Sequence, residues 1–447
     1  MANGTDRSGT SVAASAPAPG QAPMPAEDAA DLLRSNAADA AISQSPAVVF
    51  EDQAWTHGEY FAECCRFAGL FESFSLIDRG SDLEPSPERS ERGVHIGVLA
   101  DNTPDYLFAL GGAALSGATV VGLNHTRTGA HLWRDLAHTD VDVLLTETRH
   151  LAQLYEAIAA RPAGAEVPPV LLSRRFDSVG KPGAATVGNE AAAAVSDAGA
   201  AMATPALRDV RNLESALAAF EPVDPGRGAA PDATWALVFT SGTSSDPKAV
   251  VCTQRRLLTT GNRMSMLLEL APDDVGYVCM PLFHSNALMV GWAPSLVVGA
   301  SVALARRFSA SGWLPDVRRF GATYFNYTGK PLSYILSTAE GDHDADNPVR
   351  VAFGNEGSPR VLDGFAKRFD VNVIDAFGST EGAIALNRDA EARSGAMGVA
   401  GETVMVVDED GEVCPPAEYD SEGRLTNADS CVGEIVNTAG GGPFEGY

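Results

Sequence analysis

The stretch Ala233-Thr-Trp-Ala-Leu-Val-Phe-Thr-Ser-Gly-Thr-Ser-Ser-Asp-Pro-Lys-Ala-Val-Val251 decides how this chain folds. Trp235 to Phe239 is an unbroken apolar run, the pattern of a strand covered on both faces. It empties into a hydroxyl-rich loop, Thr240 to Ser245, which Pro247 and Lys248 close before a second β-branched run. Gly242 admits backbone angles that other residues avoid, so successive N–H groups can converge on one point. The neighbouring Ser and Thr side chains add O–H donors, and Lys248 adds a compact positive charge. That set suits the phosphates of a nucleotide; read alone, it is also a polar turn whose lysine faces water. Only four lysines (Lys181, Lys248, Lys330 and Lys367) occur among 32 Lys+Arg, which singles out Lys248. The loop is not a Walker loop, and Gly180-Lys181 and Gly329-Lys330 are both followed by proline.

Outward from this stretch, apolar runs alternate with helical spacing. Val94 to Leu99 reads as a strand leading through Pro104 into a helix over Asp105 to Leu115. Ala118 to Gly122 and Val141 to Thr146 read as further strands, and the pattern resumes at Trp235 and runs to about Leu386. Such alternation predicts α/β architecture with two doubly wound sheets and flanking helices. Pro162 to Pro205, rich in Ala, Gly and Pro, is expected to be a surface excursion or a partly ordered insertion. Thr403 to Val407 and Gly433 to Val436 predict a small β-barrel-like subdomain or sheet. The expected division is a disordered tail over 1–30, two interleaved α/β subdomains over 31–390, and a β-rich subdomain over 391–447.

The formal charge of −26 argues against a nucleic-acid partner, since phosphate backbones need a basic face. It also leaves any anionic substrate dependent on local donors. Cysteines at 64, 65, 252, 279, 414 and 431 lack C-x-x-C spacing and read as core thiols of a reducing compartment, hence a cytoplasmic protein. Residues 1–30 lack the apolar segment of a signal peptide. The uncharged stretch Ser285 to Ala305 is broken by Gly291, Pro294 and Gly299, which predicts a buried helix then a buried strand rather than a bilayer span. Peripheral membrane contact and a homodimer both stay open.

The loop at 240 resembles the phosphate loop T-S-G-T-T-G-x-P-K-G of the adenylate-forming enzymes, which include the acyl-CoA synthetases. Asp375-Ala-Phe-Gly-Ser-Thr-Glu-Gly382 is similar to their second signature, and Met280-Pro-Leu-Phe-His-Ser285 to their P-x-x-H segment. Gly122 to Thr128, Tyr324 to Lys330 and Val349 to Asn355 look most like the fatty-acid transport protein group of long-chain acyl-CoA synthetases. Four positions depart from the pattern. Ser245 and Ala249 replace glycines, Phe377 stands where many relatives have tyrosine, and Lys330 where close relatives tend to have an acid. Nothing in the sequence explains the last.

The resemblance implies the fold of the adenylate-forming N-terminal domain and a fatty-acid or related carboxylic-acid CoA ligase. ATP would convert the acid, a fatty or steroid-side-chain acid, to acyl-adenylate and pyrophosphate, and CoA would then form the thioester. It places the phosphates on Thr240, Ser241, Gly242, Thr243 and Ser244, with Lys248 beside them. Adenine and its surroundings fall to Gly354, Asn355, Glu356, Asp375, Ala376, Phe377, Gly378 and Ser379, and Thr380 is similar to the family's phosphate-contacting hydroxyl. Mg²⁺ falls to Glu381 and Thr243, and the catalytic set to Thr243, Lys248, His284 and Glu381. Each has a plainer reading: Glu381 as a capping acid, Phe377 as core, His284 as a hydrogen-bonded structural histidine.

Gly440-Gly-Gly-Pro-Phe-Glu-Gly-Tyr447 looks like the family stretch that precedes the hinge and the mobile C-terminal domain, expected to be absent here. Weak CoA ligation by this chain follows as an expectation. Two rivals remain: a non-catalytic acyl or nucleotide binder, and a serine hydrolase using Ser245-Asp-Pro-Lys248 as S-x-x-K, though its partner motifs are missing.

Overall fold

The computed structural model describes residues 28–75, 92–177, 207, 209–240, 248–382, 384–387, 396–439 and 444–447. Two large sheets organise the chain, as the alternation predicts. One runs, in spatial order, Val210–Asn212, Val170–Ser173, Val143–Glu147, His95–Leu99, Thr119–Gly122, Thr234–Thr240 and Lys248–Thr253. All neighbours are parallel except the last pair, an antiparallel hairpin in register from Ala236↔Cys252 to Thr240↔Lys248. Thr119–Gly122 and Val143–Glu147 are buried along their whole length, as inner strands of a parallel sheet covered on both faces are.

The second sheet runs Ala385–Asn387, Asn372–Gly378, Val351–Asn355, Tyr324–Thr328, Val275–Val278, Ser301–Leu304, Pro46–Phe50 and Gln53–Thr56. Its inner pairs are parallel. The helix Pro104–Ser116 is buried on every side from Pro104 to Leu115, as expected of a helix that is apolar all round. Its buried acid, Asp105, accepts from Ser173 Oγ at 2.6 Å and from Arg175 at 3.0 Å.

Ser285 to Ala305 follows the buried helix-then-strand expectation, with a refinement. Asn286–Trp292 is a π-helical turn, Ala293–Val298 continues as α-helix, and Ser301–Leu304 is a buried strand. Among the described residues, no helix is long and apolar enough to cross a membrane.

Two expectations are corrected. Val170–Ser173, inside the supposed excursion, is a wholly buried strand: four residues suffice once both neighbours are in place. Residues 178–205 of that stretch, like residues 1–27 of the tail, lie outside the described residues. The described part of 391–447 forms an antiparallel pair, Val404–Val407 with Glu434–Asn437, and two isolated bridges, the small sheet among the expected alternatives. Its half-buried faces leave Cys414 and Cys431 partly exposed, whereas Cys64, Cys65, Cys252 and Cys279 are buried thiols.

Candidate functional site

In parallel sheets, loops at the carboxyl ends of the strands share one side, where ligands commonly bind. Thr240 ends one strand of the first sheet; Thr328, Asn355 and Gly378 end three strands of the second. Ser241, Gly242, Thr243 and Ser244, together with Ser245, lie outside the described residues. The two ends of their hairpin are described: Thr240 is half-buried and paired with the exposed Lys248.

Lys248 and Glu381 converge on one residue. The Lys248 ammonium lies 5.0 Å from the Tyr447 ring centroid, and the Tyr447 hydroxyl donates to Glu381 Oε1 at 3.2 Å. The segment carrying Tyr447 is docked on the hairpin: Val251 N–H donates to Gly446 O at 3.0 Å, and Glu445 accepts from Thr253 N–H at 2.8 Å and from its hydroxyl at 2.5 Å. Arg256 ties the two sheets' loops together. Its guanidinium donates to Val251 O at 2.9 Å and also to Thr380 O. Thr380 and Ser285 bring their hydroxyls within 3.1 Å, which joins the second signature to the P-x-x-H segment.

Asp375 is buried, and its Oδ2 accepts from Gly357 N–H at 2.9 Å and Tyr327 Oη at 3.1 Å. Those bonds fix the 355–358 loop against the Asn372–Gly378 strand, a positioning task that the motif alone does not reveal. Gly354 is required by close approach, since a Cβ there would lie 2.2 Å from Tyr327 O. Glu356 holds a left-handed φ of 65° and is exposed. Asn355 Oδ1 accepts from Asn286 of the π-helical turn at 3.2 Å. Phe377 pairs in register with Leu386, flanked by Ala376 and Gly378, and is half-buried.

Ser379 N–H donates to Ile384 O at 3.1 Å, turning the chain back beside that strand. Its hydroxyl is buried with no hydrogen-bond partner among the described residues, an orphan suited to a ligand oxygen. His284 is half-buried against Phe283, ring centroids 4.4 Å apart. Burial, with a smaller push from His125, holds its pKa below the ordinary value. It is therefore neutral at pH 7 and can hydrogen-bond a carboxylate without forming a full ion pair.

The structure thus gathers Thr240, Lys248, Thr380 and Glu381 around Tyr447, Arg256 and Ser285. Sequence reasoning missed Arg256, Tyr447 and Asn286. Arg256 was foreshadowed only by its place after Thr253, whose side chain caps the helix Gln254–Leu267. Asn286 follows directly on the quoted Met280 to Ser285 segment.

The family described as AMP-binding enzyme matches residues 35–447. Steroid-22-oyl-CoA synthetase of Rhodococcus jostii is 41% identical over 362 residues, covering 80% of this chain and 58% of that protein. Medium/long-chain-fatty-acid–CoA ligase FadD17 of Mycobacterium tuberculosis is 42% identical over 357 residues, covering 80% of this chain and 60% of that protein. The chain therefore matches about three fifths of the length of these relatives. The crystal structure of the anthranilate CoA ligase AuaEII in complex with anthranoyl-AMP superposes with a TM-score of 0.68 at 16% identity, over 92% of this chain and 74% of that one. At that identity the likeness speaks for the fold alone.

Proposed function

The chain belongs to the AMP-binding enzyme family, and from that premise we propose that it activates a carboxylic acid with ATP, forming an acyl-adenylate and releasing pyrophosphate. The acid's class follows the relatives: a medium- or long-chain fatty acid or a steroid side-chain acid. Thioester formation with CoA completes the reaction in which such a ligase engages. We place it in the cytoplasm, which suits its free thiols.

The observation that carries this reading is the convergence of Lys248 and Glu381 on Tyr447. A carboxylate attacking phosphorus brings two anions together, so positive charge and donors must stand where charge builds. Lys248 supplies the charge, while the Thr380 and Ser379 hydroxyls supply donors. His284, neutral and half-buried, orients the attacking carboxylate. Phe377 and the 354–358 backbone flank the adenine.

The residues present fit a divalent cation. Glu381 is half-buried, offers a hard oxygen, and stands opposite the hairpin that Lys248 closes. Mg²⁺ bound there would neutralise phosphate charge. Thr243 is proposed as its other protein contact.

Pyrophosphate exchange with ATP, Mg²⁺ and a panel of fatty and steroid side-chain acids tests the reading. Acid-dependent exchange supports adenylation. Binding without exchange replaces the enzyme with a non-catalytic binder.

A further inference from the structure

Three residues that the adenylation chemistry does not use meet at the carboxyl ends of three adjacent strands of the first sheet. Asp101 follows His95–Leu99, His125 follows Thr119–Gly122, and His150 closes the short turn Thr148–His150 after Val143–Glu147. One ligand atom from each lies within 4.8 Å of the other two. Asp101 and His150 are buried and His125 is half-buried.

The hydrogen bonds around His150 fix what its ring can do. The Gln153 amide nitrogen donates to His125 O at 2.9 Å and to Arg127 O. With its N–H groups committed to those carbonyls, the other end of the amide is its acceptor oxygen. That oxygen lies 3.3 Å from His150 Nδ1, which suits an N–H at that position. His150 Nε2 then faces Asp101 Oδ1 at 3.1 Å. In that tautomer a lone pair meets a carboxylate oxygen, an arrangement that a shared cation, a second proton or a metal, would satisfy.

His125 favours the metal. Its ring stacks on that of His150 with centroids 5.5 Å apart, and its Nδ1 is buried without a partner among the described residues. A second proton on His150 would leave that nitrogen unsatisfied. The supporting shell is already built. Arg149 pairs with the other oxygen of Asp101, Asp101 N–H donates to Glu147 at 2.7 Å, and Arg306 pairs with Glu147 at 3.0 Å. An outer partner on a ligating carboxylate and on the far nitrogen of a ligating histidine is the usual surround of a bound ion.

We propose that Asp101, His125 and His150 form a transition-metal site, with Zn²⁺ as an ion that two imidazoles and one carboxylate accommodate. It clamps the ends of three strands beside Phe283, whose ring meets that of His125 edge-on at 5.0 Å. His284 follows directly. Mg²⁺, which prefers oxygen ligands, does not fill it, so the site is separate from the one at Glu381.

The test uses chelator-stripped full-length chain without ATP, titrated with Co²⁺ as a visible probe and then with Zn²⁺. One equivalent of Co²⁺ absorbing in the visible and displaced by Zn²⁺ is expected. His125→Ala and His150→Ala should each weaken binding more than the roughly 10- to 100-fold typical of losing an outer partner, and Gln153→Met should fall within that range. Glu381→Gln should leave it unchanged. Should the histidine variants fail to fold, X-ray absorption at the zinc edge of the wild-type chain decides: nitrogen and oxygen neighbours with imidazole scattering support the site. A sulfur shell would move the ion to the thiols and overturn the proposal. So would absent stoichiometric binding, which would make the cation at His150 a proton, or binding untouched by both histidine substitutions.

Discussion

Tyr447 donates a 3.2 Å hydrogen bond to Glu381, across 66 residues of chain, while its ring covers the ammonium of Lys248. An aromatic ring within about 6 Å of a cation attracts it. Tyr447 thus occupies both charges assigned to the phosphates and their metal, so those charges are held in place yet engaged with a protein group.

Removing the phenol releases Glu381. Tyr447→Phe keeps the ring over Lys248 and is expected to tighten Mg²⁺-dependent ATP binding about two- to fivefold, since an exposed hydrogen bond is worth about 0.5–1 kcal/mol. Calorimetric titration of ATP with and without Mg²⁺ checks this. Unchanged affinity would mean that the phenol does not compete.

Lys248→Ala should weaken ATP binding about tenfold or more, the scale of a lost charge-assisted contact. Lys248 is exposed, so the melting temperature should move by no more than about 2 °C. Equal ATP affinity in the variant would remove Lys248 from the phosphate site.

Asp105 gives a pH signature of unusual sign. Burial, opposed by Arg175 and Ser173, pushes its carboxyl up to about 6 from an ordinary 3.8. The folded chain then holds the proton more tightly than the unfolded one, so this group's contribution costs stability above pH 6 and recovers it as pH falls from 6 towards 4. A difference of that size corresponds to about 3 kcal/mol at most. In Asp105→Asn that recovery should be missing, read from urea midpoints of both proteins between pH 7 and 4.5. Parallel curves would show that Asp105 titrates normally.

Gly291→Ala tests the π-helical turn. A Cβ there would lie 2.8 Å from Oδ1 of Asn326, which is fully buried. Asn326 donates to Asn286, which in turn donates to Asn355, so the displacement passes to the 354–358 loop. A destabilisation of about 1–3 kcal/mol is expected, with weaker ATP binding. A variant as stable as the wild type would mean that the turn relaxes locally.

The fold was legible where local pattern and tertiary demand coincide. Trp235 to Phe239 reads as a covered strand because it is one, and Pro104 opens a helix because its ring suits the first turn. Val170–Ser173 was lost in an Ala- and Gly-rich background, since a four-residue apolar run carries no period of its own. At the candidate site, the motifs pointed to Lys248, Thr380 and Glu381, but contacts made by distant returns of the chain leave no local trace. Tyr447 reaches Glu381 only after the small sheet has intervened, and Arg256 reaches Thr380 across 124 positions. Asp101, His125 and His150 come from three separate turns and become neighbours only when their strands align.

The forked side chain of Arg256 has a mechanical corollary. Guanidinium presents its donors in a fixed planar fork, so the Val251 and Thr380 carbonyls are braced by a single stiff group. One inflexible side chain consequently sets the spacing of two carbonyls that belong to different sheets and their loops.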